Sequence, residues 1–292
     1  MVAGNIPYYK ISDNPHVFMS ILDNVLTEKA FDYAKNGYAF LFEWWTTFGR
    51  DEGYLNLKKR LEKYNNIDIT ILACTEADKC NFEKMGYKSI YCSPNAFVDE
   101  YLFYPIKTTK KYNAIYNAQI IPYKRIELAK DIKNLGIITF INHNQTNDIE
   151  YRDYVLNLIG KDKILNNKRI ESFGVRNLLN QAKCGLILSK EEGGNYATME
   201  YLLCNIPVVT TENIGGRNEF LDNSNSIMVR DNPVDIADAV HNININSYKN
   251  IRENTINKML IHRFNFYNHL ENSFGELIWK YFKFTNKLIN WI

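Results

Sequence analysis

Short apolar runs alternate along most of this chain with stretches whose apolar residues recur every three or four positions. Runs bounded by turn residues read as strands, and the longer period reads as amphipathic helix. The strand-like segments are 39–45, 67–74, 89–93, 113–117, 136–142, 184–189, 206–210 and 226–229. The helix-like segments are 18–35, 54–64, 76–85, 125–135, 150–158, 176–182, 196–204 and 234–243. Short apolar strands separated by amphipathic helices predict parallel sheets covered on both faces. The pattern shifts near Tyr104-Pro105, ahead of a Lys-rich run from Lys107 to Lys111. We therefore expect a short N-terminal α/β domain over 1–104 and a complete Rossmann-like domain over 105–256. Helices over 257–292 would pack back on the first domain. There is no internal repeat.

One stretch carries most of the chemistry: EEGGNYATMEYLLCNIPVVTTENIGGRNEFL, from Glu191 to Leu221. Glu192 and Glu200 stand eight positions apart in it, the first in a Gly-Gly loop and the second in a helix-like segment. A loop through Gly193 and Gly194 into a helix starting near Asn195 exposes amides, those of Gly193 to Tyr196, where a phosphate is favoured. Glu200 then lies about 7–8 Å along the helix at the usual rise per residue. Glu192 stays in the loop beyond the N-terminus. A carboxylate at each end of a diphosphate site suits hydroxyl-rich groups on either side: hexose hydroxyls at Glu192 and ribose hydroxyls at Glu200. That combination describes a nucleotide-sugar. Both could also be ordinary solvated carboxylates, and Glu200 alone would read as one.

The same segment resembles the Glu-x7-Glu motif of retaining GT-B glycosyltransferases, in particular glycosyltransferase family 4 (group 1). Glu192, Gly193 and Gly194 open the motif, Glu200 closes it, and Pro207-Val208-Val209 and Gly215-Gly216 follow in the family order. Gly194 stands where the family usually has Phe, and Asn195 where it has a second Gly. Upstream, Asn177 to Ser189, Pro94 to Pro105 and Ala118 to Leu128 resemble three further family segments, so that the likeness spans about Ser89 to Ile236.

The resemblance implies a GT-B fold: two Rossmann-like α/β domains facing across a cleft, here with the N-terminal one abbreviated. It implies transfer of a sugar, with retention, from a nucleotide-sugar to a hydroxyl of a glycan, lipid-linked or protein-linked acceptor. The leaving phosphate would help to deprotonate the acceptor, and no metal or resident cofactor is expected. The family places an Arg and a Lys on the leaving diphosphate, where a cation stabilises charge that builds in the transition state. Lys124 matches that Lys. Gln119 stands at the Arg position and can donate hydrogen bonds without charge, and Arg125 is the nearby candidate to compensate. Lys124 by itself also reads as a solvated lysine at a helix start. The departure at Gln119 keeps a second reading open, a nucleotide-sugar-binding protein that has lost activity. A phosphorylase of the same fold would need a lysine-bound cofactor, for which no motif is present.

Other residues are more ambiguous. His143, in the loop 142–145 after a strand, reads equally as part of the cleft or as a surface turn. His16 reads as an acceptor-side group or a structural histidine, and Trp44-Trp45 as a sugar platform or core. Arg217 and Glu219 read as fixing the turn after the second Gly pair. Walker A, H-E-x-x-H, G-x-S-x-G and Asp-x-Asp patterns are absent.

Composition narrows the classes. Hydrophobic residues at 46% and charged residues at 23% suit a packed globular chain, and a net charge of +2 argues against a nucleic-acid binder. Five scattered cysteines without C-x2-C spacing read as free thiols in a reducing compartment. No run approaches the ~20 apolar residues of a spanning helix, and no leader pattern opens the chain. We therefore expect a cytoplasmic protein, soluble or peripherally attached to a membrane. The segment Leu277 to Ile292 mixes aromatics with Lys280, Lys283 and Lys287, and suits either a membrane surface or packing on the N-terminal domain.

Overall fold

The computed structural model describes residues 9–22, 26–43, 56, 58–139 and 146–275. The readings placed on Trp44, Trp45, His143 and the segment from Leu277 onward lie outside the described residues.

The first sheet holds five strands: β1 (Tyr9–Asp13), β2 (His16–Leu22), β3 (Gly37–Glu43), β4 (Ile67–Ala73) and β5 (Lys88–Tyr91). They lie in sequence order, β1 antiparallel to β2 and the rest parallel. Every crossover therefore steps the same way, and right-handed crossovers then place their helices on one face. These are α1 (Leu26–Ala34), helical residues 58–61 and α2 (Glu76–Lys84). Phe18, Leu41 and Ile71 meet Phe31, Leu61 and Phe82 on that face. Successive side chains of a strand alternate between faces, so Val17, Met19, Phe40, Phe42 and Leu72 point the other way. There they join Phe266 and Leu270 of the long C-terminal helix α7 (Ile251–Phe274). The rings of Phe40 and Phe266 meet edge-on at 5.3 Å.

The second sheet is parallel, in the order β10-β9-β8-β6-β7. Its strands are β6 (Tyr112–Asn117), β7 (Leu135–Ile138), β8 (Ala182–Ile187), β9 (Val208–Thr211) and β10 (Ser226–Val229). Four helices accompany them: α3 (Thr146–Ile159), α4 (Ser172–Leu179), α5 (Tyr196–Leu203) and α6 (Pro233–Asn242). The chain steps outward from β6 to β7, returns to β8 on the opposite side, and continues to β9 and β10. That reversal makes the gap between the ends of β6 and β8 a topological switch point, the usual ligand crevice of open α/β sheets.

The two halves meet closely. A Cβ on Gly216 would lie 2.3 Å from Cβ of Cys74, so only a bare backbone fits there. The Tyr91 hydroxyl donates to Glu219, and the amide of Ser93 donates to Nδ1 of the buried His262 at 3.2 Å. Arg263 grips Glu100 with both terminal nitrogens at 2.8 and 2.7 Å.

Two expected helices differ. Residues 18–22 belong to strand β2, and α1 begins only at Leu26. The run His16–Leu22 is buried on both faces, and a continuous apolar run fits strand and helix equally. Segment 125–135 is not one helix: two short 3-10 turns, Pro122–Lys124 and Ile126–Ala129, lead into β7. Arg125 between them has φ of 51°, a left-handed conformation that cannot continue a right-handed helix. No helix among the described residues is long and apolar enough to cross a membrane.

Candidate functional site

The site is assembled by the two loops that leave β6 and β8 at the switch point. Tyr116, buried near the end of β6, ties them together: its hydroxyl donates to the carbonyl of Lys124 and accepts from the amide of Leu188 at 3.2 Å. Residues 190–192 then pair with the loop after β9. The amide of Ile214 donates to Lys190 O at 2.9 Å and that of Glu192 to Ile214 O at 3.1 Å.

Glu192 is 4% exposed and needs partners for its charge. Oε2 accepts from Ser189 Oγ at 2.5 Å and Asn195 Nδ2 at 2.7 Å. Oε1 pairs with the ammonium of Lys124. Asn195 also caps α5, its Oδ1 accepting from the amide of Thr198 at 2.9 Å. One residue thus sets the helix start and one carboxylate oxygen together. Behind them Arg217 is fully buried. Its guanidinium donates to Ser189 O, to Ser189 Oγ at 3.2 Å, to Thr210 Oγ1 at 3.0 Å and to Thr211 O. Burial pushes its pKa down to about 10, so it stays cationic at neutral pH. Arg217 braces the loop from behind.

The other end of the site depends on a glycine. A Cβ on Gly185 of β8 would lie 2.4–2.5 Å from the ring of Tyr201, which lies across the bare strand. The Tyr201 hydroxyl donates to Ile115 O at 3.0 Å and accepts from the amide of Asn117 at 2.6 Å. This fixes α5 against the end of β6. Glu200, the preceding residue, meets Asn117, whose Nδ2 donates to its Oε2 at 2.5 Å. Burial pushes the Glu200 carboxyl up to about 7, and the Asn117 hydrogen bond opposes the rise.

The fold brings Lys124, Glu192, Gly193, Gly194, Asn195, Tyr196 and Glu200 to one end of the second sheet. Gly193 is buried, and Gly194 and Tyr196 half-buried, at the start of α5. Gln119 is half-buried just past β6. Arg125 is engaged elsewhere: its guanidinium donates to Leu188 O at 2.7 Å, Thr211 Oγ1 at 3.0 Å and Asp231 at 2.7 Å. That contact holds the Asp231 carboxyl below the usual range. Arg125 ties the ends of β8, β9 and β10 together. The chain-pattern reading missed Ser189, Asn117 and Tyr201. An isolated Gly inside β8 was the available signal for Tyr201, since a strand glycine marks a close approach.

A shallow groove of about 890 Å³ lies along β10 and α6 instead, lined by Glu212, Asp231, Asp235 and Asp238. Arg230 lines it too but is paired with Asp235, so carboxylates dominate and make it a poor receptor for a diphosphate. Among the described residues no group of three or more His, Cys, Asp or Glu could hold a metal.

The family described as "Glycosyl transferases group 1" matches residues 146–245, the part carrying Glu192 and Glu200. No curated protein matches the chain. Among solved structures the chain is similar to Anabaena Alr3699/HepE in complex with UDP-glucose, at 12% identity over 87% of this chain and 78% of that one, TM-score 0.63. It is similar to a variant of S. aureus TarM in complex with UDP, α-GlcNAc-glycerol and fondaparinux, at 17% identity and TM-score 0.63. That match covers 86% of this chain and 54% of TarM, so the chain spans about half of TarM's length. Sucrose-phosphate synthase of Thermosynechococcus elongatus shares 13% identity over 92% of this chain and 87% of that one, TM-score 0.60. These likenesses establish the fold: two facing Rossmann-like α/β units, the GT-B architecture.

Proposed function

We propose that the protein is a retaining glycosyltransferase that moves a sugar from a nucleotide-sugar to an acceptor hydroxyl on a glycan, lipid-linked or protein-linked sugar. The observation that carries this reading is the placement of Lys124, Glu192, the α5 N-terminus and Glu200 together at the switch point. Glu200 accepts hydrogen bonds from the ribose, and Glu192 from the transferred sugar. The amides of residues 193–196 and the Lys124 ammonium meet the diphosphate. As the glycosidic bond breaks, negative charge grows on the leaving phosphate, and fixed donors aimed there stabilise the transition state above the ground state. The acceptor proton passes to that phosphate, so that no protein nucleophile enters. We place the donor site within 105–256, the acceptor side within 1–104, and the enzyme in the cytoplasm.

A second reading has its own observation. Arg125 is bound to Asp231 and Gln119 carries no charge, so Lys124 alone stands for the usual pair of cations. That favours a protein which binds a nucleotide-sugar without turning it over.

Donor consumption by the purified chain separates the two. A thermal-shift screen against UDP-, GDP-, ADP- and dTDP-sugars finds the donor, since a ligand of the native state raises its stability. Hydrolysis or transfer is then measured. Glu192→Ala should cost far more in turnover than in nucleotide affinity. Glu200→Ala should weaken nucleotide binding by about 1–3 kcal/mol. Wild-type behaviour of both variants would refute the assignment, and binding without consumption would favour the second reading.

A further inference from the structure

Asn117 closes β6 where an apolar strand turns polar. Its backbone N–H goes to the hydroxyl of Tyr201, and its side-chain Nδ2 to Oε2 of Glu200. One residue of β6 thereby grips two consecutive residues of α5. The NH2 group of Asn117 is turned to Glu200, as the ionised carboxylate requires, which leaves Oδ1 for another donor. Oδ1 of Asn117 and Oε1 of Glu200 accept from no donor among the described residues, and neither is sealed from solvent. Docking of α5 does not need the Asn117 side chain, because Tyr201 already reaches Ile115 O at 3.0 Å.

We propose that Asn117 is a specificity-determining residue: its Oδ1 and Glu200 Oε1 form a paired acceptor for the two adjacent hydroxyls of a nucleotide ribose. Tyr201 is the positioning residue that keeps the pair in register, in the space left by Gly185. This rests on the nucleotide-sugar reading above. A site built to accept hydroxyl protons discriminates strongly against an analogue lacking one, because the unused acceptor is left without a partner.

The test uses the full chain. Titration calorimetry with UDP, GDP and ADP selects the tightest nucleotide, which is then compared with its 2′-deoxy and 3′-deoxy forms. Wild type should lose about tenfold or more with each deoxy form. Asn117→Ala should lose about tenfold for the ribonucleotide but almost nothing for one deoxy form, so that this ratio collapses towards one. Glu200→Ala should collapse the other ratio. Asn117→Ser, which keeps a hydroxyl acceptor, should restore part of the discrimination and serves also if the alanine variant folds poorly. Ratios that stay at wild-type values in both Asn117 variants would overturn the proposal, even if all affinities fell in parallel, because that pattern marks a structural role. Nucleotide binding without ribose discrimination in wild type would overturn this proposal alone. Failure of all three nucleotides to bind would overturn it together with the functional reading.

Discussion

Glu192→Gln removes one charge from a nearly sealed ion pair while keeping its shape. The side chains of Lys124 and Glu192 are 13% and 5% exposed. Unit charges about 4 Å apart interact by about 4 kcal/mol at an effective dielectric of ~20. Removing one partner of a buried pair costs about 3–5 kcal/mol, since the remaining charge is left uncompensated. Ser189 and Asn195 can still donate to the amide oxygen of Gln, which turns its NH2 towards the Lys124 ammonium, so the charge and the Lys124 hydrogen bond are lost together. At ~2–4 °C per kcal/mol for chains somewhat shorter than this one, the melting temperature should fall by about 10 °C. Lys124→Met should destabilise similarly by stranding Glu192. The double variant should lose clearly less than the sum of the two singles. Urea and thermal unfolding of the four proteins close the cycle. Nucleotide titrations on Glu192→Gln add a second readout, because in the proposed role Lys124 would no longer have to leave a carboxylate to meet a diphosphate. Affinity should therefore hold or rise. Single-variant losses that add within about 0.5 kcal/mol would refute the reasoning, since uncoupled sites behave that way.

Further outcomes follow from other parts of the structure. The folded-state pKa of Glu200, about 7, lies above the ordinary glutamate value of 4.5, so between those values the native state holds a proton that the unfolded chain has released. Its contribution to stability is complete in acid and is lost as the pH rises through about 7. If the ribose needs the ionised form, nucleotide affinity should fall as the pH drops below about 7, and calorimetry from pH 5.5 to 8.5 on wild type and Glu200→Gln checks this. Gly185→Ala drives a methyl into the ring of Tyr201 and should cost about 1–3 kcal/mol by urea unfolding, with weaker nucleotide binding. Phe266→Ala empties the contact with Phe40 and should cost about 3–5 kcal/mol in the same assay. On the proposed reading Lys124 and the α5 amides meet the diphosphate without a metal, so transfer should persist in EDTA, and loss of turnover restored by added magnesium would contradict that proposal.

The pattern of apolar runs located β3, β4 and every strand of the second sheet to within a few residues, because a buried parallel strand has little freedom in composition. It failed at Phe18–Leu22, where a strand apolar on both faces carries no period to tell it from a helix. It failed again at Arg125, where a left-handed backbone and a guanidinium bound to Asp231 interrupt an otherwise helical sequence. Glu192 and Glu200 stood out because glycines and a following strand frame them, and Lys124 only because its segment resembles one of the family's. Asn117 and Ser189 were not, because their roles arise only when separate strand ends are brought side by side. Asn195 was visible as a departure from a pattern, but its double duty as helix cap and carboxylate partner required the fold.

The long helix from Ile251 to Phe274 roofs a sheet drawn from residues 9–91. During synthesis, some 160 residues must leave the ribosome after the last strand of that sheet before its cover arrives. Until then Val17, Phe40 and Phe42 form a bare greasy surface, the kind of transient species that aggregates or recruits a chaperone. The N-terminal half expressed alone would carry the same exposure permanently. Supplying the missing helix as a separate peptide should restore its solubility.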